Sequence, residues 1–364
     1  MTQAPRGFIA RVGRGGGFRM IRLGERETYR IPSALAIDRA GRIVVSYEDG
    51  GLDVMTPDGR ALWSAGLPPA RALAFAANGD ILAAGCRITK RLSGLKSIST
   101  YDEITDGYFA RVTSWGHIRW TDRLDRGDHQ LFYRPNDRAV TDCATGIAPG
   151  PGDDVFVAGD FTRWGSLDHK EDDPALPLFG SFLARVSDGG RIVWSRLAAA
   201  GNGTVALATA RDGAVAVVAG QVATPDPAAR SPAHGLAAFD ADGVALWSVP
   251  FTRDPGQPFE TRIEHLRVVA RGASKADFVC VGTYEQVVAA GRASLSEENG
   301  GVFLAAIDRR GSVTSLRSVP GKARPKGAGG FITSLAVAPG AAALWVGGTL
   351  TSTTHGAWVH AVPW

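Results

Sequence analysis

A chain of 364 residues with 46 glycines and 20 prolines can bury a substantial core, and its turn-forming residues are spread along it, which excludes a long disordered linker. The formal charge of +4, from 40 basic against 36 acidic residues, is small and carries no long basic run, so nucleic acid is not expected as a partner. The start MTQAPRGFIARV has no apolar signal segment, no run is long enough to span a bilayer, and Cys86, Cys143 and Cys280 follow neither a disulfide framework nor a metal-knuckle spacing. Reduced thiols and a cytoplasmic location are therefore expected, unless an export signal has been removed.

Taken in chain order, one apolar phrase recurs. It reads FIARV at Phe8–Val12, LDVM at Leu52–Met55, YFARV at Tyr108–Val112 and FLARV at Phe182–Val186, and continues as LAAFD at Leu236–Asp240, FLAAID at Phe303–Asp308 and AWVHAV at Ala357–Val362. All but the last are followed by a turn and a second run: FRMIRL, ALWS, IRWTDRL, IVWSRL, ALWSV and VTSLRSV. Period-2 alternation around Gly-bearing connections predicts β-hairpins. Trp63, Trp120, Trp194 and Trp247 recur at one equivalent place, and each ring is expected to pack between adjacent sheets.

Between these hairpins lie pairs of runs rich in small residues, from ALAIDRAGRIVVSY to SLAVAPGAAALWVGG, the second run usually ending in Gly. They fit inner strands near a crowded axis. Six inner pairs, six hairpins and a spare C-terminal strand give 25 predicted strands, one more than six four-stranded blades need and three fewer than seven. The expectation is an all-β, single closed β-propeller spanning 1–364, with six four-stranded blades, seven as the alternative, and a ring closed by the N- and C-terminal strands. A closed ring leaves no long unpaired edge. The one helical turn anticipated lies within Glu285–Ser296.

VFVAGDFTRWG (Val155–Gly165), FLARVSDGGRIVWSRL (Phe182–Leu197) and VCVGTYEQV (Val279–Val287) resemble bacterial β-propeller repeats of the SBBP type, a WD40-like architecture. The matching residues are Gly159, Phe182, Val186, Gly190 and Trp194 in one unit and Gly282, Phe303, Asp308 and Gly311 in another. The pattern departs at Tyr47, near the expected Gly, and at Leu316, near the usual Trp. The resemblance implies a scaffold and no particular chemistry.

Long connections carry the functional expectation. Segments 86–107, 124–141, 160–181, 250–263, 283–301 and 320–330 all join strands at one end of the predicted blades, so they crowd one face. Loops on a rigid scaffold are the usual seat of binding. Arg87, Tyr101, His129, Tyr133, Arg134, Arg163 and Trp164 interleave Arg with aromatics there, the residue types that dominate binding patches. A non-enzymatic scaffold recognising a protein or peptide is the main reading. The alternative is an enzyme or a small-ligand or ion site at the central channel mouth, where Glu48, Cys86, Asp160, Gln221, Thr283 and Thr349 follow the second strands.

The run DHKEDD at Asp168–Asp173 is where calcium would bind, but it lacks the alternate spacing and Gly of such loops. A solvated charge cluster is expected instead, and no cofactor. No nucleophile elbow, P-loop or dinucleotide fingerprint occurs. Cys143 beside Asp142 and His129 reads as a structural cysteine rather than a nucleophile. Whether the chain catalyses anything stays open.

Overall fold

The computed structural model describes residues 8–12, 18–22, 30–92, 102–123, 143–162, 179–200, 206–210, 215–222, 233–251, 264–270, 278–284, 287–297, 301–319, 329–337, 343–351 and 355–363. Among them every element is a β-strand, 27 in all. The chain divides into two compact units, Met1–Pro149 and Gly150–Trp364.

In the first unit, β1 (Phe8–Val12) and β2 (Phe18–Arg22) form an antiparallel pair. β3 (Pro32–Ile37), β4 (Ile43–Tyr47), β5 (Leu52–Met55) and β6 (Ala61–Ala65) follow as a four-stranded antiparallel meander. β7 (Ala70–Phe75), β8 (Ile81–Leu92), β9 (Asp102–Val112) and β10 (Ile118–Arg123) repeat it, and β11 (Cys143–Pro149) packs against β7 and β8. The middle strands read as nearly continuous apolar runs because both of their faces are covered. Val44, Leu52 and Val54 of the first sheet join Ile81, Ala83, Tyr108 and Val112 of the second in one core.

The second unit opens with β12 (Val155–Thr162), β13 (Phe179–Val186) and β14 (Ile192–Ala200), paired in that order. β15 (Ala206–Thr209), β16 (Val215–Val222), β17 (Ala233–Asp240) and β18 (Ala245–Pro250) form the next meander. β19 (Glu264–Ala270) and β20 (Phe278–Tyr284) precede a separate hairpin, β21 (Val287–Ala290) with β22 (Ala293–Ser296). β23 (Gly301–Ile307) and β24 (Val313–Ser318) then complete the sheet β19-β20-β23-β24. A three-stranded sheet follows: β25 (Gly329–Val337), β26 (Ala343–Thr351) and β27 (His355–Pro363).

The two strands beyond the expected 25 are β21 and β22. They correct the helical turn anticipated in Glu285–Ser296. Val287, Val288 and Leu295 pair across a Gly291–Arg292 turn whose Gly has φ +61°, so the short apolar runs settle into period-2 pairing. Val288 and Ala290 are buried in the core that holds Phe278 and Phe303, with Leu295 and Val313 packed on it. The described part of the 283–301 connection thus lies along β24 instead of standing out as a loop.

Three of the four recurring tryptophans, Trp63, Trp194 and Trp247, pack between sheets, and a glycine receives each of the three. Trp63 Nε1 donates to Ser114 O at 3.0 Å, Trp194 Nε1 to Ala241 O at 3.0 Å and Trp247 Nε1 to Arg309 O at 2.8 Å. Each acceptor lies in the outer-hairpin turn of the following sheet. The same turns hold Gly116, Gly243 and Gly311 at φ +90°, +78° and +81°. A Cβ at these glycines would sit 3.0, 3.0 and 2.7 Å from the Trp63, Trp194 and Trp247 side chains. The glycine therefore serves both the left-handed turn position and the close approach of the indole. Immediately before each of the four recurring Trp, the outer strand is bulged by one residue: the register passes over Leu62, Arg119, Val193 and Leu246. In the sheet with β24, Ser315 holds the Trp position and Leu316 follows it.

Candidate functional site

Among the described residues of the sheet β7–β10, the flanking strands end while the middle pair runs on. β7 reaches Gly85 through Ala70, and β10 reaches Tyr108 through Arg123. β8 and β9 continue as a two-stranded ribbon from Cys86↔Gly107 to Leu92↔Asp102. Its register sets Arg87 opposite Asp106, opposite charges that favour the pairing. Gly85 marks the point of departure: a Cβ there would strike Pro69 O and the Tyr108 ring, and Tyr108 Oη donates to Pro68 O at 2.6 Å. Burial raises the Tyr108 pKa, so the phenol stays a neutral donor.

At the ribbon's neck, Cys86 and Cys143 form a disulfide with a Cα–Cα distance of 4.8 Å across a sequence separation of 57. This corrects the expectation of reduced thiols. β11 packs against β8 and so brings together two cysteines that are far apart in sequence. The sulfur of Cys143 is therefore no thiol nucleophile for Asp142 and His129, which lie outside the described residues. Cys280 is in no disulfide, and it is buried.

The first sheet carries Tyr47 where the register of the others places Gly. Its ring lies under the Arg30 guanidinium at 3.8 Å, and its Oη donates to Asp53 Oδ2 at 2.8 Å. Arg30 donates to Gly50 O at 2.6 Å and pairs with Asp53 at 3.3 Å. Burial, then the hydrogen bond to Asp53, raises the Tyr47 pKa. This network is internally satisfied and reads as a structural lock.

The residues that follow the second strands take these places in the register. Cys86 faces Gly107, Asp160 faces Ser181, Gln221 faces His234, Thr283 faces Val302 and Thr349 faces Ala357. Glu48, exposed, extends the same position beyond β4, its N–H donating to Ile31 O at 2.9 Å. Asp160 differs from the rest in its chemistry. It is half-buried beside the fully buried Ser181, whose hydroxyl donates to Asp160 Oδ1 at 3.2 Å. Burial pushes the Asp160 carboxyl up to about 7, with the Ser181 hydrogen bond partly opposing the shift. Such a group changes charge near neutrality and can hold or release a proton there.

Of the partner-binding candidates, Arg87 is exposed at the ribbon's neck. Tyr101, His129, Tyr133, Arg134, Arg163 and Trp164 lie outside the described residues, as does Asp168–Asp173. Among the described residues no group of His, Cys, Asp or Glu is arranged to hold a metal, and no helix is long and apolar enough to cross a membrane. Sequence reasoning missed the disulfide and the paired ribbon. Alternation in RITKRL and DEITDG was the available signal for the ribbon.

No protein-family model matches the chain, and no curated protein matches it. Among solved structures it is similar to a protein of unknown function from Bacteroides caccae at 15% identity and TM-score 0.42, covering 86% of this chain and 90% of that one. It is also similar to BamB from Moraxella catarrhalis at 14% identity and TM-score 0.41, covering 94% and 89%. The Dos1 propeller is similar at 11% identity and TM-score 0.47, covering 93% and 78%.

Proposed function

We propose that the chain is a β-propeller binding scaffold that recognises a protein or peptide through the end of its sheets bearing the long connections. The observation that carries this reading is the β8–β9 ribbon. It runs past both flanking strands and is clamped at its neck by Cys86–Cys143, with Arg87 exposed beside the clamp. The bond encloses Arg87, Tyr101, His129, Tyr133 and Arg134, five of the seven contact candidates. A preorganised segment loses less entropy on binding than a loose one. In this reading each four-stranded meander is one blade of a six-bladed propeller. The disulfide also favours an oxidising compartment over the cytoplasm. The test is thiol counting on native-host cells quenched in acid and alkylated in denaturant, which exposes the buried Cys280: one modified cysteine, Cys280, supports the clamp, and three modified cysteines oppose it.

A second reading rests on Asp160. A half-buried carboxyl that titrates near neutrality beside a buried hydroxyl is the kind of group a small-ligand or catalytic mouth site would use. Asp160→Asn separates the two readings. A mouth site loses its ligand in this variant, whereas partner binding by the long connections does not change.

A further inference from the structure

The β21–β22 hairpin brings a carboxylate to a buried phenol. It is inserted between the second and third strands of its sheet and packs along β24. The chain that leaves it places Glu297 at the end of the β20–β23 pair, where Tyr284 faces Gly301. A Cβ at Gly301 would sit 2.9 Å from Glu297 Oε2 and 3.4 Å from Tyr284 Oη, so the absence of a side chain there gives the carboxylate its room. Ser318 stands opposite Phe303, whose ring lies 6.2 Å from that of Tyr284, and joins the group from β24. Arg317, next to Ser318, falls on the other face of β24, opposite Leu304.

Packing does not call for the phenol oxygen. The corresponding cross-strand pairs in other sheets are Phe161↔Gly180, Val222↔Ala233 and Leu350↔Gly356, none of which has a hydroxyl at the Tyr284 place. Tyr284 is fully buried, and its Oη has no hydrogen-bond partner among the described residues. Burial and then the Glu297 charge push its pKa up to about 12, with Ser318 partly opposing, so the phenol stays neutral. Glu297 and Ser318 are only half-buried, which leaves the group open to solvent on their side. A buried polar atom left without a bond is uncommon and points to a partner that comes from outside the chain.

We propose that Tyr284, Glu297 and Ser318 bind a primary ammonium group, carried by a small amine or by a lysine side chain of a peptide. An ammonium has three donors and no acceptor, which matches three oxygens brought together by β20, the end of β22 and β24. Glu297 supplies the opposite charge, and the neutral phenol and the hydroxyl fix the direction of approach. Binding gives Tyr284 Oη the partner it lacks. The site uses none of the contact candidates named above, neither Asp160 nor the Cys86–Cys143 clamp, so its failure leaves both earlier readings untouched.

The test is isothermal titration calorimetry on the full-length protein at low salt, with methylammonium and Nα-acetyl-lysine amide as probes and tetramethylammonium, which has the charge but no donor, as control. The expected result is saturable binding of one or both primary amines, with tetramethylammonium weaker by about tenfold or more. Methylammonium binding alone identifies a small amine as the ligand, and lysine amide binding identifies a side chain. Glu297→Gln and Tyr284→Phe should each weaken the amine by about tenfold or more. Tyr284→Phe removes only an unsatisfied oxygen and should melt at the wild-type temperature or above. No saturable amine binding at millimolar concentration, equal binding of tetramethylammonium, or amine binding undiminished in Glu297→Gln would overturn the proposal.

Discussion

Replacing glycines one at a time measures how far the indole locks hold the sheets together. Gly152, at φ +62°, has no heavy atom within 4 Å of an added Cβ, whereas Gly243 at φ +78° would place that atom 3.0 Å from the Trp194 ring and Gly311 at φ +81° would place it 2.7 Å from Trp247. Gly152→Ala therefore costs only the left-handed backbone, about 1–2 kcal/mol. Gly243→Ala and Gly311→Ala add overpacking of about 1–3 kcal/mol, for totals of roughly 2–5 kcal/mol. In a unit of this size each kcal/mol lowers Tm by about 2–4 °C. Calorimetry should thus show a fall of about 2–8 °C for Gly152→Ala and about twice that for the other two. The decisive comparison is a double-mutant cycle. In a Trp194→Ala background the clash is gone, and Gly243→Ala should cost no more than Gly152→Ala. Equal costs for Gly243→Ala with and without Trp194 would refute the lock.

Other expectations concern the covalent clamp, the titrating carboxyl and a buried ion pair. Cys86→Ser with Cys143→Ser should lower stability by about 4 kcal/mol from loop-closure entropy, read by urea denaturation, while Cys280→Ser leaves the number of disulfides unchanged. Because the folded-state pKa of Asp160 is raised from 3.8 to about 7, the folded chain binds the extra proton, so stability should fall as pH rises from about 4 to 7. Asp160→Asn should flatten that slope, making the variant the more stable by roughly 2–4 kcal/mol at pH 8 relative to pH 4; an unchanged slope would remove Asp160 as the titrating group. Arg111 is fully buried with its Nε 2.8 Å from Asp80, so Arg111→Ala should cost about 3–5 kcal/mol by leaving the buried carboxylate only the Asn78 amide at 3.0 Å and Arg119 at 3.8 Å. Pairing it with Asp80→Asn should recover part of that loss in the same denaturation assay.

The elements were legible where periodicity and turn chemistry agree. FLARVSDGGRIVWSRL contains the alternation, the turn and the Trp of β13 and β14, and Trp194 does lie between sheets as its recurrence implied. The bulge at Val193 was not legible, because it depends on how the outer strand follows the twist of its neighbour. Cys86 and Cys143 appeared unrelated because their pairing is decided by the packing of β11 on β8, which no local spacing encodes. VVAAGRASLS was misread as a helical turn because its apolar runs are too short for periodicity to distinguish the two states. Of the site, sequence located the equivalent positions around Asp160 but not its burial, which arises from the adjacent strands.

The central proposal is that long connections, the segment bounded by Cys86 and Cys143 and the 160–181 connection among them, carry the partner contact. It is tested most directly by co-purification from the native host, comparing the wild-type chain with an Arg87→Glu, Tyr133→Ala, Trp164→Ala variant of matched melting temperature. The account predicts a stoichiometric protein retained by the wild type and lost from the variant. The same protein retained equally by both would contradict it.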